Sequence, residues 1–262
     1  MLADALLPLL STLISVLFAL LLAGQYLRRR KPYQLVWAFS LVFYAVGVCA
    51  EYLARLDGWT APLYRAFYLF GGLYVAAYLG MGTVFLLCSP RLARTLLLWL
   101  LAASFYGALR TLTAPLEISL LPPHGEPGGL RIMPQDVRVV AIVLNVFGTA
   151  ALVGGALASA RNYWRGRAAP RRVWSNLLIA AGALVAASGS TLLALGLPSP
   201  FALAKLVGVT LILAGFLATP QTQPLLRLGV RGGEGVQWPP VPLGEGWGEG
   251  APGPTPRRRT SK

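Results

Sequence analysis

The chain has 262 residues, of which 56% are hydrophobic and only 12% charged, and its net charge is +14 at pH 7. An ordinary soluble domain has about 25% charged residues, so this composition excludes that class. The positive charge does not indicate a nucleic-acid-binding protein, because the basic residues alternate with apolar runs as membrane loops do.

Seven apolar runs have close to the length of about 20 residues with which a helix crosses a bilayer. They occupy residues 4–27, 34–56, 62–88, 92–115, 138–161, 172–196 and 200–219. The runs lack the strict alternation of membrane β-strands, and a backbone inside hydrocarbon must satisfy its own hydrogen bonds. We therefore predict an all-α integral membrane protein whose residues 1–219 form a bundle of seven transmembrane helices.

Helices two to four place charges at a similar depth. Glu51 lies about five residues from the end of helix two, and Arg55 follows four residues later on the same face. Arg65 of helix three and Arg110 of helix four lie near that level. A glutamate is too short to reach the headgroups from inside a span, so we expect Glu51 to pair with Lys205 of helix seven or with a nearby arginine.

Helix three also carries tyrosines along one face, within about 120° of arc at 100° per residue. They are Tyr64, Tyr68, Tyr74 and Tyr78. We expect Tyr64 to anchor the helix at the membrane interface. The deep hydroxyls of Tyr74 and Tyr78 need partners, which are either backbone groups in a dry core or the water of a tyrosine-lined cavity.

The longest connection between spans, residues 116–137, contains four prolines and three glycines and cannot form a long helix. It is either a plain connector or a lid over a cavity. Beyond it, small residues recur every seven positions in helices five to seven. They are Gly148 and Gly155, then Ser175, Gly182, Gly189 and Gly196, then Gly208 and Gly215. This spacing predicts closely packed helices.

Lys205 stands inside the last apolar run, FALAKLVGVTLILAGF at 201–216. Two interpretations remain open: its head reaches the headgroups along an apolar stem, or it belongs to a polar cluster inside the bundle. Because Lys205 and Glu51 lie at matching depths, we predict that they form one cluster, with Arg65 or Arg110 beside them.

The final segment, 220–262, has 8 prolines and 9 glycines among its 43 residues, and we predict that it is disordered. Its basic cluster, Arg257 to Arg259, either contacts anionic lipid or is simply solvated.

Basic residues are distributed unevenly between the two sides of the predicted bundle. Seventeen of 23 lie between helices one and two, three and four, and five and six, or after helix seven, whereas five lie on the other side. Because lysine and arginine collect on the cytoplasmic side, we predict an N-terminus outside and a C-terminus inside. Arginine (20) far outnumbers lysine (3) in a chain rich in Ala, Leu and Gly, which favours a GC-rich bacterium and its inner membrane.

A shift of 137 residues aligns YLRRR at 26–30 with YWRGR at 163–167, and Val36-Trp37 with Val173-Trp174. Helices one to three would then repeat as five to seven, with helix four as the linker, a parallel three-plus-one-plus-three repeat of the kind found in transporters. The layout resembles the SWEET and PQ-loop transporters. Their Pro-Gln signature belongs within helices one and five, whereas Pro134-Gln135 precedes helix five here.

The segment AKLVGVTLIL, with Lys205, is similar to the seventh helix of microbial rhodopsins, where a lysine holds retinal as a Schiff base. Such a group needs a carboxylate counterion, which that family supplies from helices three and seven. Here Tyr68 and Phe201 occupy the matching positions, and helix three has no acid.

Two functional classes are favoured, with a divergent retinal-binding protein as a third and more distant alternative. One is a transporter for a small anionic solute, and the other is a receptor-like or accessory protein that binds partners or lipid headgroups. No nucleophile with a base, and no set of metal ligands, lies in the spans, so we predict neither an enzyme nor a cofactor. The candidate ligand-binding residues are Glu51, Arg65, Tyr68, Tyr74, Arg110 and Lys205.

Overall fold

The computed structural model describes residues 2–123, 125, 132–166, 170–194 and 201–218, and these residues are helical with short connections. The helices are α1 Leu2–Arg29, α2 Pro32–Asp57, α3 Ala61–Leu87, α4 Pro90–Thr113, α5 Gln135–Arg165, α6 Pro170–Ala194 and α7 Phe201–Leu217. Their bounds agree closely with the seven apolar runs of the sequence. The predicted disordered segment 220–262 lies outside the described residues.

Helices α1 to α6 are long and apolar enough to cross a membrane, whereas α7 is a shorter apolar helix of 17 residues. Length and composition thus make the chain a multi-pass helical membrane protein. Prolines start several of the helices, where the missing N–H costs nothing: Pro32 and Pro90 lie in the first turns of α2 and α4. Between α2 and α3, Gly58 has a φ of 89°, which favours glycine.

Six helices pack in a closed order around a common core. Each of α1, α2, α3, α5, α6 and α7 packs against the next, and α7 packs back against α1. Helix α4 packs against α3 and α5 at the periphery: 22% of its most apolar window is buried, against 50% in α3. Helix α3 is therefore the most enclosed span, and α4 the most exposed to the surroundings.

The small residues predicted to pack helices closely do so at two interfaces. A Cβ on Gly182 of α6 would lie 2.6 Å from the carbonyl oxygen of Gly208 in α7, and one on Gly148 of α5 would lie 2.1 Å from that of Ala76 in α3. Neither position has room for a side chain. The packing prediction is confirmed at these positions, while Gly196 lies outside the described residues.

Helix α3 is not a regular α-helix throughout. Its middle, Phe67–Tyr74, is π-helical, between the α-helical segments Ala61–Ala66 and Val75–Leu87. The wider turn coincides with Gly71-Gly72, and Gly71 faces Gly47 of α2 so closely that a Cβ on Gly47 would lie 2.7 Å from the Gly71 nitrogen. π-Helical turns within α-helices are rare and frequently lie at functional sites.

Side chains of neighbouring helices donate hydrogen bonds to carbonyl oxygens of α3. Asn145 Nδ2 of α5 donates to Gly72 at 2.6 Å, Ser40 Oγ of α2 to Val75 at 2.7 Å, and Trp37 Nε1 to Leu79 at 2.9 Å. Backbone carbonyls in an apolar environment must find donors. The first contact binds the π-helical segment, the other two bind the regular helix that follows it, and together they fix α3 against both neighbours.

Candidate functional site

The site is described with reference to one end of the bundle, here named the long-loop end, where the 58–60 and 114–134 connections lie. The described part of the longer connection packs onto the helices: Ile132 and Met133 are 1% and 2% exposed, beside Tyr64, Ala114 and Val137. Trp59 Nε1 donates to the carbonyl oxygen of Gly125 at 2.9 Å. The described part of this connection therefore covers part of this end of the bundle.

An ion cluster lies beneath this cover, between α2 and α7. Lys205 Nζ donates to Glu51 Oε2, and Arg55 donates to Glu51 Oε1 at 2.9 Å. Glu51 is fully buried, and the Lys205 and Arg55 side chains are 8% and 9% exposed. One carboxylate thus binds two cations, and all three side chains are largely removed from solvent.

Aromatic rings enclose the lysine head. The Lys205 ammonium lies 4.1 Å from the Phe201 ring centroid and 5.5 Å from that of Phe67, distances at which a cation is attracted to the negative face of a ring. The two rings meet edge to face at 6.3 Å. Phe67 is the first residue of the π-helical segment, so the irregular turn of α3 lies directly against the cluster.

The backbone of α7 is fixed at the same point. Tyr44 of α2 donates its hydroxyl to the carbonyl oxygen of Lys205 at 3.0 Å. Lys205 is therefore held by α2 through both its side chain and its main chain. The interpretation in which this lysine reaches out to the headgroups is wrong, because its head is buried on a carboxylate.

Arg65 and Arg110 do not join the cluster, which corrects that part of the prediction. Arg65 donates to the carbonyl oxygens of Thr111 and Ala114, the latter at 2.8 Å, and so satisfies the orphan carbonyls at the end of α4. Arg110 donates to Asp136 Oδ2 at 2.6 Å in an ion pair with both side chains more than a third exposed. Residues at equal depth can point in different directions, because depth does not determine the rotation of each helix about its axis.

The tyrosines of α3 contact one another in two pairs. Tyr64 and Tyr68 pack at 6.0 Å at the long-loop end, and Tyr74 and Tyr78 pack at 5.8 Å deeper in the bundle. Tyr68 also packs against the core cluster that contains Tyr74, and the π-helical segment between the pairs has more residues per turn than the spacing of 100° per residue assumes. Tyr64 is 3% exposed and not an interfacial anchor.

The deep tyrosine hydroxyls bind protein groups of α4. Tyr74 donates to the carbonyl oxygen of Ser104 at 2.9 Å, and Tyr78 to the Ser104 hydroxyl at 3.2 Å. Of the two interpretations of these hydroxyls, the structure agrees with bonding to protein in a packed core. Tyr74 therefore lies apart from the ion cluster.

Two grooves lie outside the ion cluster. One, of about 310 Å³, is lined mostly by apolar side chains of α3 and α4 with Arg65. The other, of about 450 Å³, is lined by the long connection and the start of α5, including Glu117 and Arg138. Neither groove is lined by Glu51 or Lys205.

Sequence reasoning placed Arg55 on the face of Glu51 but did not assign it to the candidate site. The four-residue spacing was the signal that identifies it, since such residues are neighbours on a helix surface. Phe67 and Phe201 gave no signal of their own, because aromatic residues are common in any span. Comparisons with protein-family models, with curated proteins and with solved structures find no match to this chain. Its function is therefore inferred from the chemistry of the site.

Proposed function

We propose that this chain is a transporter for a small anionic solute, with Lys205 and Arg55 as its anion-binding side chains. The observation that carries the proposal is the shared carboxylate: the buried side chains of Lys205 and Arg55 both bind Glu51. Lysine and arginine donate charge-assisted hydrogen bonds to carboxylates and phosphates, and a charged residue inside a span marks a substrate or ion pathway more often than a structural contact.

The proposal includes seven spans with the N-terminus outside, in a bacterial inner membrane. The 17-to-5 distribution of basic residues supports this orientation. Helix α7 has 17 residues, about 25 Å at 1.5 Å per residue, which is the lower end of the range for a span. In this orientation the long-loop end faces outward, and a solute enters from that side when the bundle opens to the buried cluster.

The arrangement of the helices supports a three-plus-one-plus-three repeat, which we propose as the basis of transport. Helix α4, the linker of that repeat, packs outside the order formed by the other six helices. In parallel-repeat transporters the substrate site lies where the repeats meet. Glu51 belongs to the first triplet and Lys205 to the second, so their contact joins the two.

The test measures uptake into proteoliposomes. Purified full-length protein is assayed with acetate, succinate, phosphate and sulfate, with glycerol as the neutral control. We expect saturable uptake of at least one anion class, loss of that uptake in Lys205→Met, and retention in Arg110→Gln, whose ion pair lies apart from the cluster. No saturable uptake of any of these anions, or uptake unaffected by Lys205→Met, contradicts the proposal.

The same preparation distinguishes the alternatives. Thermal stabilisation by an anion without uptake favours the receptor-like class, and stabilisation only by anionic lipid favours a headgroup ligand. A visible absorption band after addition of retinal identifies a retinal-binding protein. A retinal Schiff base needs a carboxylate counterion, and helix three supplies none. In that alternative, Glu51 of α2, which contacts Lys205, is the candidate counterion.

A further inference from the structure

The position of Glu51 is itself an anion site that the protein fills with its own carboxylate. Each of its two oxygens binds a different cation, Lys205 from α7 and Arg55 from α2. The carboxylate is fully buried between them. An external carboxylate of the same shape fits the same donors.

Lys205 has little space for a second acceptor. One N–H of its ammonium is on Glu51, while the rings of Phe201 and Phe67 lie against it at 4.1 and 5.5 Å. The rings attract the ammonium but accept no ordinary hydrogen bond from it. A solute anion that reaches Lys205 must therefore take the place of Glu51 rather than bind beside it.

Displacement leaves Glu51 as a buried carboxylate without its cations, which is strongly unfavourable in a low-dielectric environment. The incoming anion adds a like charge close by, which further favours the protonated acid. Uptake of one proton removes both penalties. The cluster keeps the same net charge, since the solute anion replaces the carboxylate that the proton neutralises.

We propose that the protein couples one proton to each anion, with Glu51 as the proton acceptor. The inference rests on the proposed function and extends it to proton-coupled symport. The solute anion binds Lys205 and Arg55, a proton from the same side binds a Glu51 oxygen, and both leave together when the ion pair reforms. Because linkage is reciprocal, protonation of Glu51 and binding of the anion strengthen each other equally.

The charged and titratable groups described around Glu51 come from α2, α3 and α7. Arg55 lies on its own helix, and Lys205 is its partner on α7. Tyr44 of α2 donates to the main chain of Lys205. On α3, the Arg65 guanidinium donates hydrogen bonds to carbonyl oxygens at the end of α4, and Tyr64 and Tyr68 pack against each other. Glu51 is thus bound directly by both cations.

The experiment measures anion binding by thermal shift, using the same four anions at two pH values about two units apart. For wild-type protein we expect the dissociation constant to fall by about tenfold per pH unit of acidification, as one-proton linkage requires. Binding should also take up about one proton per anion from a weakly buffered solution. Glu51→Gln, which is permanently neutral, should bind more tightly than wild type at the higher pH and lose the pH dependence.

Two results overturn the inference in different ways. Binding that is independent of pH in wild type, without proton uptake, refutes the coupling and leaves anion transport standing. No binding of any of the four anions to either wild type or Glu51→Gln at either pH refutes the anion site and the proposed function together. If Glu51→Gln does not fold, proton uptake by wild type decides, and Glu51→Asp, which keeps the carboxylate, should keep the pH dependence.

Discussion

At the scale of single residues, the ion pair between α2 and α7 is the contact on which most of the functional argument depends. A buried ion pair is weak evidence for stability, because desolvation of two charges offsets much of their attraction. Removal of one partner of such a pair is strongly destabilising, because the remaining charge stays buried without a partner. Glu51, fully buried between two cations, is therefore the residue at which a single substitution should have the largest electrostatic effect.

We predict that Lys205→Met and Glu51→Gln each lower the free energy of unfolding, by about 3–5 kcal/mol. The double variant should recover part of the loss, because the two residues interact directly. Melting temperatures of the four proteins in detergent give the coupling. Strictly additive losses would argue against the pair.

The Arg110–Asp136 pair provides the matched control. Both side chains are more than a third exposed, and exposed ion pairs contribute little to stability. Arg110→Gln should leave the melting temperature nearly unchanged under the same conditions. A loss as large as that of Lys205→Met would show that depth in the bundle, and not the buried pair, determines the effect.

At the scale of helices, the π-helical segment of α3 is held by donors from its neighbours. Asn145 Nδ2 donates both to Gly72 across the interface and to Ala141 within its own helix. Removing this amide leaves the Gly72 carbonyl with one donor fewer in an apolar environment. The irregular turn, which places Phe67 against Lys205, depends on such contacts.

We predict that Asn145→Ala lowers the free energy of unfolding by about 1–3 kcal/mol, the cost of leaving a buried polar group without its partner. Asn176→Ala is the control, since partly exposed Asn176 donates to a carbonyl oxygen of its own helix, that of Arg172. Chemical denaturation in mixed micelles measures both. Equal effects of the two substitutions would count against a role for Asn145 in holding α3.

Glycine packing gives a second prediction at this scale. A Cβ at Gly148 would lie 2.1 Å from a backbone oxygen of α3, whereas one at Gly154 of the same helix has no atom within 4 Å. Gly148→Ala should destabilise the protein by about 1–3 kcal/mol through forced backbone shifts. Gly154→Ala should be neutral or slightly stabilising, because alanine favours the helix. Melting temperatures of the two variants test this, and equal values would contradict it.

At the scale of the whole molecule, the orientation in the membrane remains a prediction from the distribution of basic residues. The chain has two cysteines, Cys49 and Cys88, both free, so a cysteine-free background requires two substitutions. Single cysteines placed at Gly128 and Ala169 then lie in connections on opposite sides of the predicted bundle.

In intact cells, an impermeant maleimide should label position 128 and leave position 169 unlabelled until the membrane is permeabilised. This pattern corresponds to an N-terminus outside, as the positive-inside rule requires. The reverse pattern would invert the molecule and place the ion cluster near the cytoplasm, on the opposite side from that proposed for solute entry.

The sequence by itself determined where the helices begin and end, because hydrocarbon accepts only long apolar segments with internally bonded backbones. It also identified Glu51 and Lys205 as partners, since both are charged, lie at matching depths, and glutamate is too short to reach water. Small residues at seven-residue spacing were equally visible, because their effect is local and steric.

Tertiary structure alone decided how each helix is turned about its axis, and with it which side chains meet. It joined Arg55, rather than Arg65 or Arg110, to the ion pair, and it placed α4 at the periphery. It also introduced a π-helical segment into α3, between Phe67 and Tyr74. Hydropathy and depth are the same for every rotation of an apolar helix, so only close packing of one helix against its neighbours selects the rotation that the chain adopts.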